Sequence, residues 1–127
     1  MGIQAMEDAH ALLTRVYEAY NRRDFAAFSA LLTLDVDWPN QIEGGRLIGH
    51  DAVAAYWAEN DKMIKVDSAP VSFVDLPDGR IAVDVNQIVR NLSGQVWSDS
   101  CVRQIFTLRD GKVSRMDIEF RDKGCPE

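Results

Sequence analysis

Residues 80–120 constrain this chain more than any other stretch, because they read as three consecutive antiparallel strands with little freedom in register. Segments 80–91, 96–109 and 112–120 are rich in Val and Ile, alternate with period two, and are separated by Ser93-Gly94 and Asp110-Gly111. Both dipeptides suit two-residue hairpin turns, where Gly supplies the positive φ. Closing the first hairpin at Ser93-Gly94 pairs Leu92 with Gln95 and, counting outward, Val85 with Val102, Val83 with Gln104 and Ile81 with Phe106. One face then carries Ile81, Val83, Val85, Gln87, Val89, Val102, Gln104, Phe106 and Leu108. The other sets Asp84 opposite Arg103, Ala82 opposite Ile105 and Asn86 opposite Cys101.

The second hairpin cannot be regular. Counting from Asp110-Gly111 pairs Leu108 with Val113 but then puts Phe106 opposite Arg115 and spoils the apolar face. An extra residue at Ser114-Arg115 restores it, bringing Met116, Ile118 and Phe120 opposite Phe106, Gln104 and Val102, so a β-bulge is predicted there. The same shift places Glu119 beside Arg103, so Asp84, Arg103 and Glu119 form a charged row across three strands.

An apolar sheet face needs a cover, and the first half of the chain supplies it. Residues 6–22 repeat Ala9, Leu12, Leu13, Val16, Tyr17 and Tyr20 at helical spacing, with Glu7, His10, Arg15 and Glu18 opposite. Asp24 is a suitable N-cap for a short second helix over 25–32, whose buried stripe is Phe25, Phe28, Leu31 and Leu32. Residues 34–39 alternate and stop at Pro39, a short strand that cannot be central beyond Trp38. After Gly44-Gly45 and a brief extended piece at 46–48, a third helix runs to about residue 63 with Val53, Tyr56, Trp57, Asn60 and Ile64 on its inner side. A further strand over 66–76 closes at Pro77-Asp78-Gly79. The order predicts an α+β fold in which three helices cover a curved antiparallel sheet.

With 127 residues the chain is expected to be a single domain over residues 1–127. Its 14 Lys and Arg against 20 Asp and Glu give a net charge of −6, the wrong sign for nucleic acid or an anionic membrane. No apolar run approaches a membrane span and no signal-peptide pattern opens the chain, so a cytoplasmic protein is expected. Cys101 and Cys125 lack metal-site spacing and are expected as free thiols; neither His10 nor His50 has the setting of a ligand, so no metal site is expected.

The element order, together with Tyr17-Glu18-Ala19-Tyr20-Asn21-Arg22-Arg23-Asp24-Phe25, Leu34-Asp35-Val36-Asp37-Trp38-Pro39, the stretch from Gly45 through Gly49-His50-Asp51 to Val53, and Phe106-Thr107-Leu108-Arg109-Asp110-Gly111-Lys112-Val113, resembles the nuclear transport factor 2-like superfamily. Within it the chain is similar to the SnoaL-like and ketosteroid isomerase-like proteins. The resemblance implies a cone: helices close a bent sheet over an internal pocket, here lined by Gln87, Gln104, Phe106, Met116 and Ile118 from the sheet and Tyr17, Tyr20, Trp38 and Trp57 from other elements. It also implies a homodimer through the convex face, where Ala82, Ile88, Trp97, Cys101 and Ile105 leave apolar surface. No cofactor is implied, and the expected partner is a small hydrophobic molecule.

The chemistry implied by the resemblance is thinner than the fold. An isomerase of this kind needs a carboxylate base near the end of the first strand and a Tyr with a protonated Asp as oxyanion donors. Here those positions look like Trp38, Val16 or Tyr17, and Gln104. A dehydratase-like His–Asp pair has no pocket histidine to use, and the nearest match to an epoxide hydrolase-like Asp–Arg–Asp set, Asp84, Arg103 and Asp117, faces the convex side. A SnoaL-type cyclase relies on a carboxylate, for which Asp35, Asp37 and Glu43 are candidates near the pocket mouth and Asp37 is the choice. Gln87 and Gln104 either brace the core or fix a ligand's polar atoms, since a buried amide must find hydrogen bonds. Two functions remain open: cofactor-independent proton transfer of the isomerase or cyclase type on a cyclic or polyketide-like molecule, and non-catalytic ligand binding or protein interaction.

Overall fold

A computed structural model describes residues 2–40 and 44–120. Helices α1 (Gly2–Asn21) and α2 (Phe25–Ala30) lead into strand β1 (Leu32–Pro39). Strand β2 (Arg46–Ile48), helix α3 (His50–Asp61) and the strands β3 (Ile64–Asp75), β4 (Ile81–Asn91), β5 (Val96–Arg109) and β6 (Lys112–Phe120) follow. The six strands form one sheet in the order β2-β1-β6-β5-β4-β3. This is the α+β fold expected, a curled open sheet with three helices.

The register of β4 on β5 is the one read from the hairpin: Ile81 faces Phe106, Val83 faces Gln104 and Val85 faces Val102. Its closure differs. Asn91 N–H donates to the Gln95 carbonyl at 3.0 Å, and the Asn91 side-chain oxygen accepts from Ser93 and Gln95 N–H. The loop is therefore three residues long, Gly94 holds φ +89°, and the missing residue is recovered at Trp97, where pairing slips between Val89 and Arg90. An asparagine able to cap the turn with its own side chain wins over the two-residue alternative.

At the second hairpin Leu108 pairs with Val113 and Thr107 with Arg115, so Ser114 is the extra residue, as predicted. Met116 and Ile118 then oppose Phe106 and Gln104. Asp110 and Gly111 both take positive φ, as a primed turn requires.

Two departures concern β1 and α2. The sheet is not wholly antiparallel: β1 runs parallel to β6, with Leu32 beside Val113 and Asp37 beside Arg115. Hairpin reasoning fixes direction only between chain neighbours, and these two strands are joined by no turn. Six residues of β1, 32–37, span three of β6, 113–115, so alternation fails locally and Leu34 and Asp35 are both exposed. Helix α2 begins as expected, with Asp24 accepting from Ala27 N–H at 3.1 Å, but ends at Ala30 because Leu32 is drawn into the sheet.

Leu13, Val16 and Phe28 from the helices meet Val36, Val83, Val85, Val102 and Phe106 from the sheet in one core. Each such side chain contributes about 1.5–3 kcal/mol by leaving water. On the convex side the charged row is present, and within it Asp84 is only 2% exposed. It accepts two hydrogen bonds from Arg103, at 3.1 and 3.2 Å, and one from Ser72 Oγ at 2.9 Å. Cys101 is disulfide-bonded, which corrects the free-thiol expectation there; Cys125 lies outside the described residues. Among the described residues no helix is long and apolar enough to cross a membrane.

Candidate functional site

The bend of the sheet and the three helices enclose a cavity of about 180 Å³. Its walls are mostly apolar. Helix α1 contributes Val16, Tyr17 and Tyr20, α2 contributes Phe28, β1 contributes Trp38, and α3 contributes Val53, Tyr56 and Trp57. The concave sheet supplies Gln87, Val89, Gln104, Phe106 and Met116. Aromatic rings hold one another in fixed orientations around it. The Phe28 and Trp57 centroids are 4.9 Å apart, Trp38 meets Phe28 edge-on at 5.5 Å, and Tyr17 meets Phe106 edge-on at 6.0 Å.

One hydrogen bond organises the polar end. The Tyr17 hydroxyl donates to Gln104 Oε1 at 2.6 Å, both residues being buried. Burial pushes the Tyr17 phenol well above its ordinary pKa of 10.0, so it stays protonated and keeps the donor role. Gln104 thereby spends its oxygen on Tyr17, and its amide N–H groups have no partner among the described residues. Burial likewise pushes Tyr20 up to about 12. Gln87 makes a longer bond, Nε2 to Ser68 Oγ at 3.4 Å, and Ser68 is itself pinned by Asn21, whose side chain bonds both its N–H and its carbonyl at 2.9 and 2.8 Å.

Eight of the nine residues expected in the lining are there: Tyr17, Tyr20, Trp38, Trp57, Gln87, Gln104, Phe106 and Met116. Ile118 is not; it packs against the core beside Gln104 without reaching the cavity. Asp37 also lies outside the lining. Alternation turns it away from Trp38, and its two oxygens accept from Arg46 Nε at 2.6 Å and Arg115 Nη1 at 3.0 Å. Asp117 joins the same two arginines, at 3.3 and 2.9 Å, closing a four-member ion cluster on the outer side. Asp35 pairs with Arg109 at the surface, a hydrogen bond that holds its carboxyl below the usual range. Glu43 lies outside the described residues.

Sequence reasoning missed Arg23, Asp61 and Ser68 in the lining; it put Asn60 on the inner side of the third helix only, and left Tyr56 between core and pocket lining. For the last two the signal existed, since they share the inner side of α3 with Val53 and Trp57. For Arg23 there was none. Its backbone sits at φ +60°, which turns the side chain back over Tyr20 instead of into solvent. Asn60 Oδ1 is buried without a hydrogen-bond partner among the described residues. No cluster of three or more metal-ligating side chains occurs among the described residues.

Residues 13–116 match the SnoaL-like domain. The chain belongs to the SnoaL-like family. Solved structures of this fold superpose over almost the whole length. A nuclear transport factor 2-like protein of unknown function from Burkholderia pseudomallei is 24% identical, with 90% of this chain and 91% of that one covered and a TM-score of 0.78. A proposed polyketide cyclase of Xanthomonas campestris is 22% identical, with 91% of each chain covered and a TM-score of 0.79. TerC, crystallised with polyporic acid, is 24% identical, with 90% and 92% covered and a TM-score of 0.78. None of the curated proteins matches this SnoaL-like chain. At such identities the likeness carries the fold; the site must be argued from its own residues.

Proposed function

We propose that this SnoaL-like protein binds a small, flat, largely apolar molecule, cyclic or polyketide-like, in the cone cavity. The observation that carries the reading is the buried Tyr17–Gln104 pair at the end of an aromatic cavity: it presents an amide N–H to a ligand carbonyl while the rings grip the flat body. Neighbours of the same fold that are named as proposed polyketide cyclases, and TerC with its polyporic acid, favour a ligand of this type. Calorimetric titration with planar ketones and phenols of one to three rings tests it. Val89→Trp fills the cavity and should abolish binding; a variant that still binds would put the ligand elsewhere.

The second reading is cofactor-independent proton transfer on the same ligand. Asp37 serves as its base only if it leaves both Arg46 and Arg115, whereas Asp61 is the carboxylate of the described lining, bonded to Lys65 Nζ at 2.6 Å. Turnover surviving Asp37→Asn but lost in Asp61→Asn would assign the base to Asp61. The homodimer remains part of the proposal. Ala82, Cys101 and Ile105 are buried within the single chain, so it rests on Ile88 and on Trp97, which is 62% exposed. Sedimentation of a single-chain species of 14.3 kDa at micromolar concentration would refute it.

A further inference from the structure

The rim of the cavity carries a cation whose bonds are incompletely used. Arg23 is the one cationic side chain in the described lining. Its Nη1 donates to the carbonyls of Tyr20 at 3.2 Å and Val66 at 2.7 Å, which anchors the guanidinium between α1 and β3. Its Nη2 reaches Asp67 Oδ1 only at 3.4 Å, while Asp67 Oδ2 takes a tighter bond, 2.7 Å, from Arg90. The carboxylate nearest Arg23 is therefore held mainly by another arginine. The Nε–H and one Nη2–H of Arg23 have no partner among the described residues. A left-handed backbone at an arginine is an unfavourable conformation, and here it holds this side chain at the cavity instead of in water.

The neighbouring carboxylates each have another cation: Asp61, also in the lining, is held by Lys65 at 2.6 Å, and Asp67 by Arg90 at 2.7 Å.

We propose that the ligand bears an anionic oxygen, a ring carboxylate or an acidic enol, and that Arg23 binds it at the rim. This rests on the cavity-binding reading above. An anion completes the guanidinium's fork with charge-assisted hydrogen bonds, and the flat remainder of the molecule lies among Tyr20, Trp57 and Phe28 toward Gln104.

Two probes of the same ring size separate the claims: 2-naphthoate, anionic at neutral pH, and 2-naphthol, neutral there. In calorimetry at low salt the protein should bind naphthoate tighter than naphthol by about tenfold or more. Arg23→Gln should erase that preference, naphthoate losing more affinity than naphthol. Asp67→Asn, which removes the competing carboxylate without touching the anchoring bonds, should widen the preference. Naphthol binding without any preference for naphthoate overturns the role of Arg23 and leaves the cavity reading intact. Loss of affinity for both probes alike in Arg23→Gln, with Asp67→Asn unchanged, makes Arg23 a structural clamp and also overturns it. Binding of neither probe to the unaltered protein defeats both readings together.

Discussion

Arg103 and Gln104 are neighbours on β5 and point to opposite faces of the same sheet, and they are satisfied in opposite ways. On the convex face Arg103 gives both arms to Asp84, which Ser72 also supplies, so the charges complete one another. On the concave face Gln104 accepts a single bond from Tyr17 and keeps its amide N–H groups for something else. The ion cluster of Asp37, Arg46, Arg115 and Asp117 follows the convex pattern. A polar group whose partners are all protein holds the fold; one with a donor left over, in an apolar cavity, is what the proposed ligand would meet.

The contrast breaks most visibly at Asp84. Removing one partner of a buried ion pair strands the other, so Arg103→Ala, which leaves the 2% exposed Asp84 without its cation, should cost about 3–5 kcal/mol in urea unfolding while leaving naphthol affinity unchanged. A loss of binding at equal stability would mean the convex face also shapes the site. Gln104→Leu should cost less, about 1–3 kcal/mol, through the Tyr17 hydroxyl it orphans, and should weaken naphthol binding as well. Tyr17→Phe should be the mildest of the three in stability, near 1 kcal/mol.

Titration sharpens the same contrast at its two ends. Hydrogen bonding from Arg115 holds Asp117 below its ordinary pKa of 3.8. A depressed folded-state pKa gives stability that is present above 3.8 and lost as pH falls through the folded value. Asp117→Asn should flatten the acid limb of the stability profile slightly. Tyr20 behaves in reverse. Burial raises it to about 12, so its contribution is complete below 10.0 and lost as pH climbs toward 12. Tyr20→Phe should flatten the alkaline limb only, which thermal melts between pH 9 and 12 would show.

The difference between the faces also explains what the sequence could reveal. Alternation along β4 and β5 placed Gln104 and Phe106 on the cavity side, and the clash of Arg115 with Phe106 predicted the bulge at Ser114, because sheet periodicity converts directly into a face. Alternation likewise set Asp37 opposite Trp38 and so away from the cavity, but it could not show what holds it there. Its two arginines come from β2 and β6, and the parallel pairing that brings Arg115 beside it has no local signal. Arg23 was hidden for a similar reason: a single backbone angle at the end of α1 decides whether a charged residue in a turn faces water or the cavity. Its partners, Val66 and Asp67, lie more than forty residues on.

The most direct measurement is a titration of naphthol into the double variant Tyr17→Phe/Gln104→Leu. Replacing both hydrogen-bonding partners by apolar groups of similar shape leaves no orphaned polar group, so the thermal midpoint should stay close to that of the unaltered protein. If the pair is held ready for a ligand, naphthol affinity should fall by about tenfold, the worth of one good hydrogen bond. An unchanged affinity in a variant that folds as well as the parent would contradict the account and make Tyr17 and Gln104 nothing more than a brace for the core.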